Sequence, residues 1–217
     1  MICITHYKIR FAATGCDVIF RGMHPTRQLL IDCAILLLDS HGPEAITCDM
    51  ILQSSQTARG SLYHHFTDLS ELIETALVVR FARYVDWSIA LISEALNASQ
   101  SRDDLLAGLI RVTTETQGPD RRFARMERAR LIGATDGNDR LAAALALEQD
   151  RLTGAISDLF RQAQERGLMN AGFDPHVAAV FTQAYTLGKI IDDAASNHVS
   201  EEEWTHFVRL FIENIML

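Results

Sequence analysis

Arg59, Gly60, Ser61, Tyr63 and His64, five of six consecutive residues, are the side chains in this sequence best matched to one task. An arginine such as Arg59 can donate two parallel hydrogen bonds to the edge of a guanine. Gly60 has no side chain, so a backbone can approach it closely. Ser61, Tyr63 and His64, with Thr47 and Thr57 upstream, offer hydroxyl and ring N–H groups that suit phosphate oxygens, and such contacts set register on a duplex. On a helix, Leu62 and Phe66 share the face away from these groups and can bury it. The set reads as a helix whose outer face fits the major groove of DNA.

Other chemistry is thinly represented. Nothing resembles HExxH, GxSxG, a P-loop or GxGxxG, and the eight histidines have no ligand spacing with the cysteines. His64 and His65 are adjacent and point apart on a helix, a poor metal pair. Asp192, Asp193 and His198 can gather at a helix end, where capping explains them. An enzyme is therefore not expected, and no cofactor or metal is. The densest positive run is Arg121, Arg122, Arg125, Arg128 and Arg130, with Arg121, Arg125 and Arg128 on one helical face. The plainer expectation is a solvated face paired with Glu115, Asp120 and Glu127. The sharper one is that one of these, such as Arg125, reaches a pocket and holds an anionic effector.

Composition bounds the class. The chain has 217 residues, 48% hydrophobic and 22% charged, enough for a real core. The longest unbroken apolar run, Leu141 to Leu147, is too short to span a bilayer. Cys3, Cys16, Cys33 and Cys48 have no CxxC spacing, and reduced thiols in a cytoplasmic protein are the expectation. The formal charge of −8 gives no general attraction to nucleic acid, so any DNA binding must be local.

The elements that must position the polar set are helical. From Thr26, residues Leu30, Cys33, Ala34, Leu37 and Leu38 follow the spacing of a buried stripe, and Gly42-Pro43 stops it. Thr47 can cap a short second helix with Met50, Ile51 and Ser54 inward. Ser55-Gln56-Thr57 makes a short break, and a third helix runs from about Ala58 to His65. Asp68 and Glu71 form a near capping box that opens a longer helix toward Trp87. Further helices are expected at about 85–98, 103–117, 120–133, 138–167, 174–195 and 201–216. No useful segment alternates with period two, so the fold is predicted to be all-α. Residues 1–23 are net +2, from Lys8, Arg10 and Arg21 against Asp17. They read as a flexible basic arm or an addition upstream of Met23. Ala13-Thr14-Gly15-Cys16 faintly resembles a lipoprotein box, but Lys8 and Arg10 stand where the apolar stretch should be.

The stretch from Thr26 to Leu72 resembles the DNA-binding domain of the tetracycline-repressor (TetR) family. The likeness is strongest at Ala58-Arg59-Gly60-Ser61-Leu62-Tyr63-His64-His65-Phe66, with Gly42, Thr47 and Ile51 agreeing around it. It departs at Ser55-Gln56-Thr57, where the family has Ala-Gly-Val, and at Leu69, where a lysine often holds a phosphate. Gln56 tolerates a left-handed turn poorly. Residues 24–75 also carry two basic residues, Arg27 and Arg59, against seven acidic ones, a net of −5. Few phosphate contacts and a shallow salt dependence are expected of such a head.

The resemblance implies a helix-turn-helix head at 24–75 and a helical effector-binding and dimerisation domain at 76–217. The implied function is a ligand-responsive regulator, a repressor by default, that reads a palindromic operator as a homodimer. Its partners would be double-stranded DNA and an unknown small molecule. Tyr84, Trp87, Phe123, Arg125, Met126 and Tyr185 are candidate effector contacts, and plain core packing also accounts for each. Ile156, Phe160, Phe181, Ala184 and Gly188 are candidate dimer contacts, or packing within one subunit. Two rivals stay open: a protein of this fold that no longer binds DNA, and an all-α enzyme using the same cavity.

Overall fold

The computed structural model describes residues 24–217. The basic arm, with Cys3 and Cys16, lies outside the described residues. Among these residues the chain is all-α, with no strand and no helix long and apolar enough to cross a membrane.

Three short helices begin the fold: α1 (Pro25–Leu38), α2 (Cys48–Ser55) and α3 (Arg59–His65). Pro25 takes the first position of α1, where its missing N–H costs no hydrogen bond. Thr47 caps α2 by accepting from the Met50 amide, as expected. Leu30, Ile31, Ala34, Ile51, Leu62, Phe66 and Leu72 are buried together and hold the three helices in one head. Met50 is only half-buried and Ser54 is exposed; the turn of α2 places Ser55 inward instead.

Helix α4 (Leu69–Ala98) has thirty residues, about 45 Å of rod. It opens at Asp68, whose carboxylate accepts from the Glu71 amide at 2.7 Å. The helix expected toward Trp87 and the one expected at about 85–98 are a single continuous rod. Ala82, Val85 and Ser88 continue the buried stripe without interruption, and no Gly or Pro intervenes. The rod belongs to two cores. Leu72, Ile73, Ala76 and Val79 bury into the head. Phe81, Val85, Ile92 and Leu96 bury into the second core.

That second core is built by α5 (Arg102–Gln117), α6 (Arg122–Gly133), α7 (Asp139–Glu165), α8 (Pro175–Gly188), the short α9 (Ile190–Asp193) and α10 (Glu201–Phe211). Ser101–Asp104 and Ser200–Glu203 are full capping boxes. The single helix expected at 174–195 is divided at Lys189. Lys189 is buried, ion-paired to Asp192, and lies 5.0 Å from the centre of the Trp204 ring.

Candidate nucleic-acid interface and effector cavity

The polar set around Arg59 stands on the outside of the head. Leu62 and Phe66 anchor α3 in the core. Tyr63 is half exposed, Arg59, Gly60 and His64 are exposed, and Ser61 is partly covered. A Cβ added at Gly60 would meet nothing within 4 Å, so that flank is open to a duplex. Gln56 ends α2 in the left-handed region, φ 53°, the conformation that a glycine would hold without strain. The Ser55 and Thr57 hydroxyls bond each other at 2.8 Å across this turn, and Thr57 is partly buried there. Arg59 is already engaged: its Nη2 donates to Asp49 Oδ1 of α2 at 2.7 Å, with both side chains largely in solvent. That contact, together with the charge on Asp49, holds the Arg59 guanidinium above its ordinary value.

The acidic excess of the head has a physical destination. Asp32 pairs with Arg83, Asp39 with Arg80, Glu74 with Arg140 at 2.6 Å, and Asp68 more loosely with Arg140 at 3.8 Å. All three arginines belong to the chain beyond residue 75. Four of the seven acidic side chains therefore face the second domain, leaving Glu44, Asp49 and Glu71. Hydrogen bonds from Arg140 and Asn138 keep the Glu74 carboxyl below its usual range.

A small cavity, about 70 Å³, lies between α4, α6 and α8. Leu77, Phe81, Tyr84 and Trp87 of α4 form its apolar wall. Arg121, Ala124, Arg125, Arg128 and Leu131 recur at helical spacing along the opposite wall. The solvated arginine face expected here is corrected: Arg125 and Arg128 are buried. Asp193 neutralises Arg125 through two bonds, Nε to Oδ2 at 2.6 Å and Nη2 to Oδ1 at 2.7 Å. Its Nη1 donates to the Gly118 carbonyl. Arg121 stacks over Trp87 at 4.6 Å. Arg80 spans from the cavity to the head, with Nη2 3.0 Å from Glu127 and Nη1 3.3 Å from Asp39 at the end of α1. Burial pushes the Glu127 carboxyl above its ordinary value, against the pull of Arg80.

Of the six effector candidates, the structure brings Tyr84, Trp87 and Arg125 to the cavity. Because α6 turns its 124–125–128 face inward, Phe123 falls on the solvent side, 59% exposed, and Met126 is half-buried outside the lining. Tyr185 is partly buried and packs against the core away from the cavity lining, its hydroxyl directed at Thr113, Gln117 and Thr186. Phe81, Arg80, Glu127 and Arg128 were missed; helical spacing from Tyr84 and from Arg125 points to Phe81 and Arg128. Two dimer candidates are also corrected. Ile156 and Phe160 are each 3% exposed, because with Leu152 they form the inward stripe of α7. Phe181 and Ala184 do face solvent, and Gly188 has open space at its Cβ position.

This architecture matches solved structures over most of its length. A protein from Mesorhizobium loti described as a TetR-family transcriptional regulator superposes with a TM-score of 0.67 at 18% identity, covering 87% of this chain and 93% of that one. The chain has the TetR-family fold. Salmonella enterica GusR superposes with a TM-score of 0.64 at 19% identity, over 90% of this chain and 98% of its own. In sequence, the HTH-type transcriptional regulator UidR of Escherichia coli K12 is 21% identical over 192 residues, 88% of this chain and 93% of UidR. No family model matches the chain. The TetR fold puts the open face of α3 at one end of the α4 rod and the cavity along its middle.

Proposed function

We propose that the protein is a ligand-responsive, DNA-binding transcriptional regulator, a repressor that works as a homodimer. The observation that carries this reading is the exposed face of α3, supported from below by Leu62 and Phe66 and joined rigidly through α4 to a cavity. The regulators among its relatives, UidR and the Mesorhizobium loti protein, support it.

Arg59 reads a guanine edge; Gly60 admits the duplex; Thr47, Thr57, Ser61, Tyr63 and His64 meet backbone phosphates. The subunits join through an apolar face on α8 and α10. Val177, Val180, Phe181 and Ala184 lie at i, i+3, i+4 and i+7 on exposed α8 surface, beside Phe207 and Leu210 of α10. Phe181 stacks on Phe211 at 5.2 Å, so the two helices present one surface. An effector in the cavity displaces α4 and with it the head. A dimer whose recognition helices leave the spacing of successive major grooves, about 34 Å, releases its operator.

The test is binding to DNA that flanks the protein's own coding sequence, followed by fluorescence anisotropy across a salt series. Salt-sensitive binding is expected, and Arg59→Ala should cost about tenfold or more in preference for the cognate site while melting is unchanged. Absence of binding to every such fragment at low salt would overturn the reading. The Asp49–Arg59 pair favours that second reading, a head that no longer reads DNA, because it occupies the base-reading side chain.

A further inference from the structure

Among the described residues, the cavity holds a buried guanidinium that no carboxylate pairs with, that of Arg128. Asp193 matches Arg125, and Glu127 and Asp39 match Arg80. Arg128, 9% exposed, has neutral acceptors only. Its Nη2 donates to Gln149 Oε1 at 3.3 Å and to Gln183 Oε1 at 3.5 Å, both long. The Gln183 oxygen is also held by Gln149 Nε2 at 2.6 Å, so little of its acceptor capacity is left. Arg128 Nε is buried and has no acceptor among the described residues. The guanidinium carbon sits 5.6 Å and 5.5 Å from the ring centres of Phe81 and Tyr84, both on the cavity wall.

A buried cation with two long neutral bonds is a costly arrangement, and water can hydrate it but brings no charge. An entering anion would supply both missing elements, an acceptor for Nε and a countercharge. We propose that Arg128 anchors an anionic effector: a small organic carboxylate whose apolar or aromatic body lies against Phe81, Tyr84 and Trp87. The buried, unmatched guanidinium of Arg128 suits a carboxylate, and the walls formed by Leu77, Leu131 and Leu187 suit a hydrocarbon body rather than a polyanion. Leu77, Phe81, Tyr84 and Trp87 of α4 line the cavity, so an occupant bears directly on that helix. The anion-holding role expected of Arg125 thus passes one helical turn along α6, because Asp193 already occupies Arg125.

This inference rests on the reading of the cavity as the effector site, and its test is made on the full chain without DNA. Acetate, benzoate and phenylacetate are each compared with acetamide, benzamide and phenylacetamide at constant ionic strength, by thermal shift and by tryptophan fluorescence, since Trp87 lines the cavity. At least one acid is expected to bind about tenfold tighter than its amide. Arg128→Gln should abolish that preference and Arg128→Lys should keep part of it. Unliganded Arg128→Met is expected to melt no lower than the parent, since it removes the unmatched charge and keeps contact with the rings. Equal binding of acid and amide, no binding by any pair, or a preference that survives Arg128→Gln would overturn the proposal. So would a lower melting temperature for Arg128→Met, which would make Arg128 a structural support of the aromatic stack. Acid-selective binding with no effect on any DNA complex would sink the regulator and leave this site standing. Operator release by a neutral compound, unaffected by Arg128→Gln, would do the reverse.

Discussion

Arg59 is held by Asp49 before any duplex arrives, and the two side chains sit in solvent, where such a pair contributes little. A guanine edge can therefore displace Asp49, but the carboxylate stays near the phosphates and repels them. Asp49→Asn is expected to tighten DNA binding several-fold and to steepen its salt dependence, as measured by anisotropy in parallel with the parent; unchanged affinity would mean that Arg59 is free to turn in solution. Gln56 bears strain of a different kind, since a side chain in the left-handed region costs about 1 kcal/mol relative to glycine. Gln56→Gly should raise the melting temperature by roughly 2–4 °C in calorimetry. The turn at Gln56 was legible in the sequence, because it is set by a few neighbouring residues in a helix-turn-helix; the hold of Asp49 on Arg59, between two helices, was not. The Arg125–Asp193 pair was not: its partners are 68 positions apart, and only packing joins them. Arg128 was placed on the right helical face, but which arginine lacks a countercharge was not legible, since helical spacing gives a side chain's direction and not what lies opposite.

The helices were read correctly in kind and less well in extent. A stripe that continues through Ala82 and Val85 carries no stop signal, so α4 runs on to its cap at Ser99. The division at Lys189 follows directly on Gly188, a residue expected to allow close helix packing and not to mark a break. Which helix face lies inside one subunit was the hardest point, because an apolar stripe has the same spacing whether it meets its own core or a second copy. Here α7 turns its stripe inward, and α8 and α10 leave theirs in solvent. Phe181→Asp on α8 is expected to convert a dimer into a species near 24.2 kDa in sedimentation, with helix content retained. A dimer that persists would move the interface elsewhere.

Charge ties the two cores into one machine. Arginines beyond the head take up four of its acidic side chains, so the net charge of residues 24–75 overstates the repulsion that DNA meets. Among these links, Arg80 is the shortest route from cavity to head, touching Glu127 on one side and Asp39 on the other. Arg80→Met should loosen the end of α1. Amide exchange at residues 36–41 is expected to rise roughly threefold to fivefold, the measure of a half-exposed pair of about 0.5–1 kcal/mol, while α5 stays protected. Equal exchange in both proteins would assign the coupling to α4 packing alone. The positive charge of the described chain rests on arginine, with Lys189 its sole lysine, tucked against Trp204 and tied to Asp192. Amine-directed dyes and cross-linkers will therefore find almost no handle on this surface, and enzymatic acylation of lysine has no accessible target there with which to tune the protein.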